Sequence, residues 1–201
     1  MVPKIQAPTI LEQRHLRQRQ LIDAAMSLAI EGGATSVTVA AVAKRAGLSR
    51  SSVYEYFSSS ADLISDLIME ELDYYCQRLC SAINNVGDPY LHVEIWIAES
   101  LRYVADGRHL LVKSLNTVAV PEFRRSEIAL GHKKLVATII EPLKLIGISD
   151  IAPALSYLQN TLDAASVRIE SGNDSALEIQ YAQKYALAGL RALTENVNQS
   201  L

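Results

Sequence analysis

Apolar residues recur along this chain at intervals of three and four, the period of a helix buried on one face. Leu21, Ile22, Ala25, Leu28 and Ala29 share one stripe of a first helix predicted from about Ile10 to Glu31, and Gly32-Gly33 ends it. Short helices follow near 39–46 and 50–56. A longer one begins at Ser60 or Ala61, carries Leu63, Ile64, Leu67, Ile68 and Leu72, and fades near Asn84-Asn85. Asp88 as N-cap and Pro89 at the first helical position then open a helix over 89–105. Four more are expected at 108–119, 121–146, 150–170 and 175–196, with Pro142 either kinking its helix or starting a new turn. No segment alternates strictly with hairpin punctuation, so the nine helices define an all-α fold class.

The stretch Thr35–Leu63 carries the most specific local signals. Thr38 is a good N-cap for a short helix whose Val39, Val42 and Ala43 face inward. Gly47 sits where the chain must turn sharply, since it reaches positive φ without steric cost. Leu48 plugs the angle, and Ser49 caps a second helix whose inward residues are Val53 and Phe57. Helix, short Gly-containing turn and helix make a helix-turn-helix. Its outer positions, Arg50, Ser51, Ser52, Tyr54 and Tyr56, are donors and slender side chains that suit a major groove. Packing inside a three-helix core is the competing reading for Tyr54 and Tyr56, and an idle surface charge the competing one for Arg50.

Charge sharpens this picture. Net charge is −3, yet residues 1–60 hold 7 Lys/Arg against 4 acids while the remainder holds 12 against 18. A basic end on an acidic body fits a nucleic-acid binder with one contact face. No run of 18 apolar residues exists and the first residues lack a signal-peptide core, so a cytoplasmic protein with no membrane partner is expected. Cys76 and Cys80, four apart, read as reduced, buried neighbours on one helix face rather than a disulfide framework. There is no Gly-rich phosphate loop, H-E-x-x-H or G-x-S-x-G, and His15, His92, His109 and His132 are dispersed. Neither an enzyme nor a metal site is expected.

Over about residues 15–68 the ordered set of Gly33, Thr38 with Val39–Ala43, Ala46-Gly47-Leu48-Ser49, Val53–Phe57 and Leu63 resembles the DNA-binding domain of the tetracycline-repressor (TetR) family. The resemblance implies a three-helix DNA-binding domain at 1–60 and a larger helical effector-binding and dimerisation domain at 61–201. No cofactor is expected. Thr38 and Ser52 would bond phosphates, Arg50, Ser51 and Tyr54 would lie nearest the bases, and Tyr56 would touch the backbone. Ser60 stands where the family usually has Lys; a helix beginning there can offer N–H groups to a phosphate. Glu55 is a second departure, repelled by phosphate unless it accepts from cytosine N4. Arg14, Arg17 and Arg19 either reach DNA as an arm or form a solvated helix face.

In the larger domain, His92, Trp96, Glu99 and Tyr103 line one face of the 89–105 helix, and Asn116, Tyr157, Asn160 and Asp163 are polar groups on otherwise apolar helices. They are the candidate effector-binding residues; facing solvent or bonding one another is the alternative. Ile151, Leu155, Leu158, Leu162, Ala165 and Ile169, with Ala176, Ile179, Ala182, Ala186, Gly189, Leu190 and Leu193, form stripes on the last two helices. By resemblance these build a four-helix dimer bundle, although periodicity alone does not separate that from an internal core. The function expected is a repressor that binds a palindromic double-stranded operator as a homodimer and is released by a small-molecule effector. A constitutive DNA-binding regulator without a ligand, or an activator, is the alternative.

Overall fold

Capping chemistry sets where the helices begin. The computed structural model describes residues 10–198, with side chains through 194; the first nine residues of the stretch expected to lack a signal-peptide core lie outside them. In chain order the helices are α1 (Ile10–Gly32), α2 (Val39–Arg45), α3 (Arg50–Tyr54), α4 (Ser60–Ile83), α5 (Pro89–Ala105), α6 (Arg108–Leu115), α7 (Glu122–Ile146), α8 (Ile151–Glu170) and α9 (Ser175–Asn198), with a 3-10 turn at Ala34–Ser36. The Asp88 carboxylate accepts from the N–H groups of Tyr90 and Leu91 to start α5, and Asp150 accepts from Ala152 to start α8. The fold is all-α, as read from the sequence.

Three boundaries differ from expectation. The 3-10 turn was not anticipated; Gly33 at φ 68° leaves the helical path, and the Ser36 hydroxyl lies 2.5 Å from the Leu28 carbonyl and 2.7 Å from that of Gly33. α3 stops at Tyr54 and α6 at Leu115, shorter than their apolar patterns suggested. Beyond Leu115 the Thr117 hydroxyl donates to the Ser114 carbonyl at 2.7 Å, a local bond that competes with helix continuation. Pro142 lies inside α7, which runs on to Ile146, so it opens no new turn.

The chain divides into two compact units. The first runs to Glu70 and takes in Leu111–Ile128; the second comprises Glu71–Leu110 and the residues from Ala129 onward. A head ending at residue 60 is therefore too short, because Leu63, Ile64 and Leu67 of α4 are buried in the first unit with Leu21, Ala25, Val42, Val53 and Phe57. In the second unit α5, α8 and α9 pack on one another. Val93, Ile97, Leu101, Leu135, Ile139, Leu143, Leu158 and Leu190 are buried there. Among the described residues no helix is long and apolar enough to cross a membrane.

Candidate nucleic-acid interface

In the first unit, α2 and α3 form the helix-turn-helix. Thr38 Oγ1 accepts from the Ala41 N–H at 3.1 Å and Ser49 Oγ from the Ser52 N–H at 3.1 Å, so both helices begin on side-chain caps. Gly47 between them has φ 68°, a left-handed turn that a side chain would strain. Val42 and Val53 are completely buried, which fixes the rotation of both helices. Arg50, Ser51 and Tyr54 are consequently turned outward, Tyr54 being 58% exposed, and core packing is set aside for it. The hydroxyls of Ser51 and Ser52 lie 2.7 and 2.9 Å from that of Ser49, a cluster at the start of α3.

Tyr56 is half-buried beyond the end of α3, with the Arg14 guanidinium 5.6 Å from its ring centroid. Arg14, Arg17 and Arg19 belong to α1 itself, Arg17 bonded to Gln20 and Arg19 3.5 Å from Glu70, so a solvated helix face replaces the extended arm. Ser60 also needs correction. Its hydroxyl accepts from the Val39 N–H at 3.2 Å, tying α4 to α2. The positive end of α4 already holds a carboxylate: Asp62 accepts from the Ser58 N–H at 2.9 Å and from the Ser58 hydroxyl at 3.0 Å. Burial alone would raise Asp62, but the Ser58 bonds and Arg124 hold it below the usual carboxylate range.

Arg124 escaped notice in the sequence. Its guanidinium meets Asp62 at 2.9 Å, Asp66 at 2.7 Å and Glu127 at 2.8 Å, clamping α7 to α4 within the first unit. Burial raises Asp66 despite that arginine. A basic residue 62 positions from its carboxylate partner leaves no local signal. Ser114 is similar: its hydroxyl accepts from the Ala34 N–H at 2.9 Å, and a Cβ on Gly33 would sit 2.9 Å from that oxygen.

The candidate effector residues do not converge. In the second unit, Trp96 Nε1 donates to Thr138 Oγ1 at 2.9 Å and His92 Nε2 to the Thr138 carbonyl at 3.2 Å. Glu99 pairs with Arg78 at 2.9 Å and with Arg102; burial works against its charge, but these hydrogen bonds keep its carboxyl below the usual range. The Tyr103 hydroxyl donates to buried Glu71 at 3.2 Å while its ring stacks on Tyr75 at 4.5 Å, and burial followed by the Glu71 charge pushes its ionisation upward. Arg108 completes that set, 2.5 Å from Glu71. Four residues read as pocket polar groups are thus bonded within the unit.

Asn116 lies past the end of α6, exposed, in the first unit. Tyr157 and Asn160 are exposed on α8, because the buried stripe of Ala154, Leu158, Leu162 and Ala165 turns their positions outward; Asp163 is exposed and accepts from Gln159. The dimer stripe is displaced too. Leu158, Leu162, Ala165, Ile179, Ala182, Ala186 and Leu190 are buried within this one chain. What α8 and α9 leave open is a groove of about 1110 Å³ rimmed by Tyr157, Tyr181, Tyr185 and Leu193. Tyr181 and Tyr185, one turn apart, were the sequence signal for it.

Residues 21–67 match the model of the family described as bacterial regulatory proteins, tetR family. This segment of the chain is a tetR-family regulatory segment. It is 24% identical over 123 residues to the fatty acid metabolism regulator protein of Bacillus subtilis (strain 168), a match spanning 61% of either chain. To the HTH-type transcriptional regulator BetI of Brucella canis it is 33% identical over 88 residues, 44% of either chain. The fold recurs in the fatty acid degradation regulator FadR of Bacillus halodurans, with TM-score 0.68 and 22% identity, covering 94% of this chain and 99% of that one. It recurs again in FadR of Bacillus subtilis in complex with stearoyl-CoA, with TM-score 0.69 and 21% identity, covering 85% and 98%.

The tetR-family match ends at residue 67, close to where the first unit ends at Glu70. The match contains α2, α3 and the Asp62–Asp66 carboxylates of α4, but not Arg124 or Ser114, which complete the same unit from later in the chain.

Proposed function

We propose that this tetR-family protein is a cytoplasmic transcriptional repressor, not an enzyme, that binds a palindromic operator as a homodimer and is released by a small molecule. The observation that carries the reading is the outward face of α3. Val53 anchors the helix, Gly47 and Ser49 set its entry, and Arg50, Ser51 and Tyr54 are left to a DNA groove. Thr38, Ser52 and Tyr56 flank that face and take the phosphates. Ser60 contributes by holding α4 against α2 rather than by contacting DNA.

A second copy covers the groove of α8 and α9. Its tyrosines and Leu193 form an apolar surface that two chains related by a twofold axis would bury as a four-helix bundle. Long-chain acyl thioesters are the effector class the named relatives favour, since one is a fatty acid metabolism regulator and another is described with stearoyl-CoA. The test selects duplexes from a random pool with the full chain. A palindrome with half-sites about one helical turn apart is expected, bound by a species of twice the chain mass in light scattering. Tyr185→Glu should yield a monomer. Stearoyl-CoA should weaken operator binding about 5–150-fold, the range of ordinary allosteric coupling. Selection of no sequence, or a monomer on DNA, overturns the reading.

A further inference from the structure

Two thiols one turn apart on α4 play no part in the reading above. Cys76 is half-buried, Cys80 is exposed, and their sulfurs lie 4.0 Å apart. The pair was expected to be buried; exposure of Cys80 corrects that.

The separation discriminates between chemistries. A disulfide needs sulfurs about 2.05 Å apart and Cβ atoms about 3.8 Å apart. Residues four apart on a helix hold their Cβ atoms about 5–6 Å apart, so direct bonding requires α4 to distort. A single bridging atom requires no such movement. Two sulfurs each about 2.3 Å from a common centre sit about 3.8 Å apart if it is tetrahedral and about 3.4 Å apart if it is a pyramidal trivalent centre, a closure of about half an ångström that side-chain rotation supplies. Among the described residues, no group of three or more His, Cys, Asp and Glu that could hold a metal ion is present. The bridging atom must therefore bring its own remaining substituent.

We propose that Cys76 and Cys80 form a bidentate dithiol site that takes a trivalent organoarsenical, R–As=O, on the intact helix. The exposed Cys80 sulfur attacks arsenic first, giving a hydroxy-arsenic thioester. Cys76 then attacks the same arsenic and one water leaves. Two S–H and the As=O bonds are exchanged for two As–S bonds and the water, and arsenic stays trivalent throughout. The order follows from accessibility: burial pushes the Cys76 thiol up, the neighbouring Cys80 adds to this, and Lys134 only partly opposes it. The site stands independently of the DNA-binding reading.

The experiment adds phenylarsine oxide to the reduced full-length chain and follows intact mass and free thiols. One adduct per chain should consume both cysteines, and a dithiol should remove it where an equal concentration of monothiol does not. Cys76→Ser and Cys80→Ser should each weaken binding about 100-fold or more, as loss of one arm of a chelate does. Circular dichroism establishes that the variants are folded; should Cys76→Ser unfold, exposed Cys80→Ser decides alone. Affinity for the native chain should exceed that for the urea-unfolded chain at least tenfold. Wild-type affinity in either variant, or equal affinity in urea, overturns the proposal.

Discussion

On α3 the polar side chains point away from the unit that carries them, whereas on α5 the polar side chains are spent against neighbouring residues of their own unit. Arg50, Ser51 and Tyr54 face outward. Glu99, Tyr103, Trp96 and His92 hold Arg78, Glu71, Thr138 and Arg102. Helical spacing placed both sets on a face; it did not say what the face meets. The contrast teaches that spacing decides which side chains share a face, while the neighbouring elements decide whether that face stays open, as on α3 opposite buried Val53, or is closed, as on α5.

The comparison breaks most forcefully at Glu71. This carboxylate is almost completely buried, accepting from Arg108 at 2.5 Å and from the Tyr103 hydroxyl at 3.2 Å. Glu71→Ala removes the acceptor of the Tyr103 hydroxyl and the carboxylate that faces Arg108. Removing one partner of a buried pair costs roughly 3–5 kcal/mol; because the Arg108 side chain is 37% exposed, about 2–3 kcal/mol is expected. Urea unfolding of variant and parent measures it. A loss below 0.5 kcal/mol, the ordinary range for surface changes, would mean that the α5 network is not closed.

On the open side the same measurement should barely respond. Arg50→Ala removes no internal hydrogen bond found among the described residues, so stability should move within about 0.5 kcal/mol. Operator affinity should fall by roughly 1–3 kcal/mol and specificity should relax at one base position. Fluorescence anisotropy with a selected duplex and its single-base variants reads both. Affinity retained across all of them would remove Arg50 from the recognition face.

Between these extremes sits Thr38, which caps α2 and is assigned to a phosphate. Loss of the Oγ1–Ala41 bond in Thr38→Ala should cost about 1 kcal/mol of stability. Thr38→Ser should restore the cap, and with it the phosphate contact. If serine restores stability but not operator affinity, the cap and the DNA contact are separable and the threonine methyl has its own role.

What the sequence disclosed follows the same division. Thr38 with Ala41, Ser49 with Ser52, and Gly47 are interactions within a few residues, so their chemistry is legible from spacing alone. Trp96, an effector candidate, depends on a partner from elsewhere, Thr138 at a separation of 42 residues, and the contacts that left no signal are longer still: Arg124 meets Asp62 at 62 and Ser114 meets Ala34 at 80. On α8 and α9 the stripe was correctly phased, but the apolar side turned out to be this chain's own core. The exposed tyrosines carried the opposite message. A hydrophobic period identifies the buried face of a helix without saying which molecule buries it.

The smallest expected effect tests how fully the α5 side is closed. His92 is half-buried and its Nε2–H donates to the Thr138 carbonyl, so the neutral ring suits the folded state. Burial, outweighing that carbonyl bond, lowers its pKa from the ordinary 6.5. The unfolded chain then binds the proton more readily than the folded one. Stability from this group is present above about pH 6.5 and is lost as pH falls from there through the lower folded pKa. His92→Gln lacks that titration while keeping a donor for Thr138. The stability difference, parent minus variant, should be flat above pH 7 and fall below pH 6.5, at no more than about 1.4 kcal/mol per pH unit for one proton. Paired urea titrations from pH 5 to 8 measure it, and carboxylates such as Asp66 cancel in the subtraction. A difference that instead grows as the solution is acidified would mean that the folded state stabilises the imidazolium, placing an unrecognised negative group beside His92 and reopening this end of α5 as a polar site.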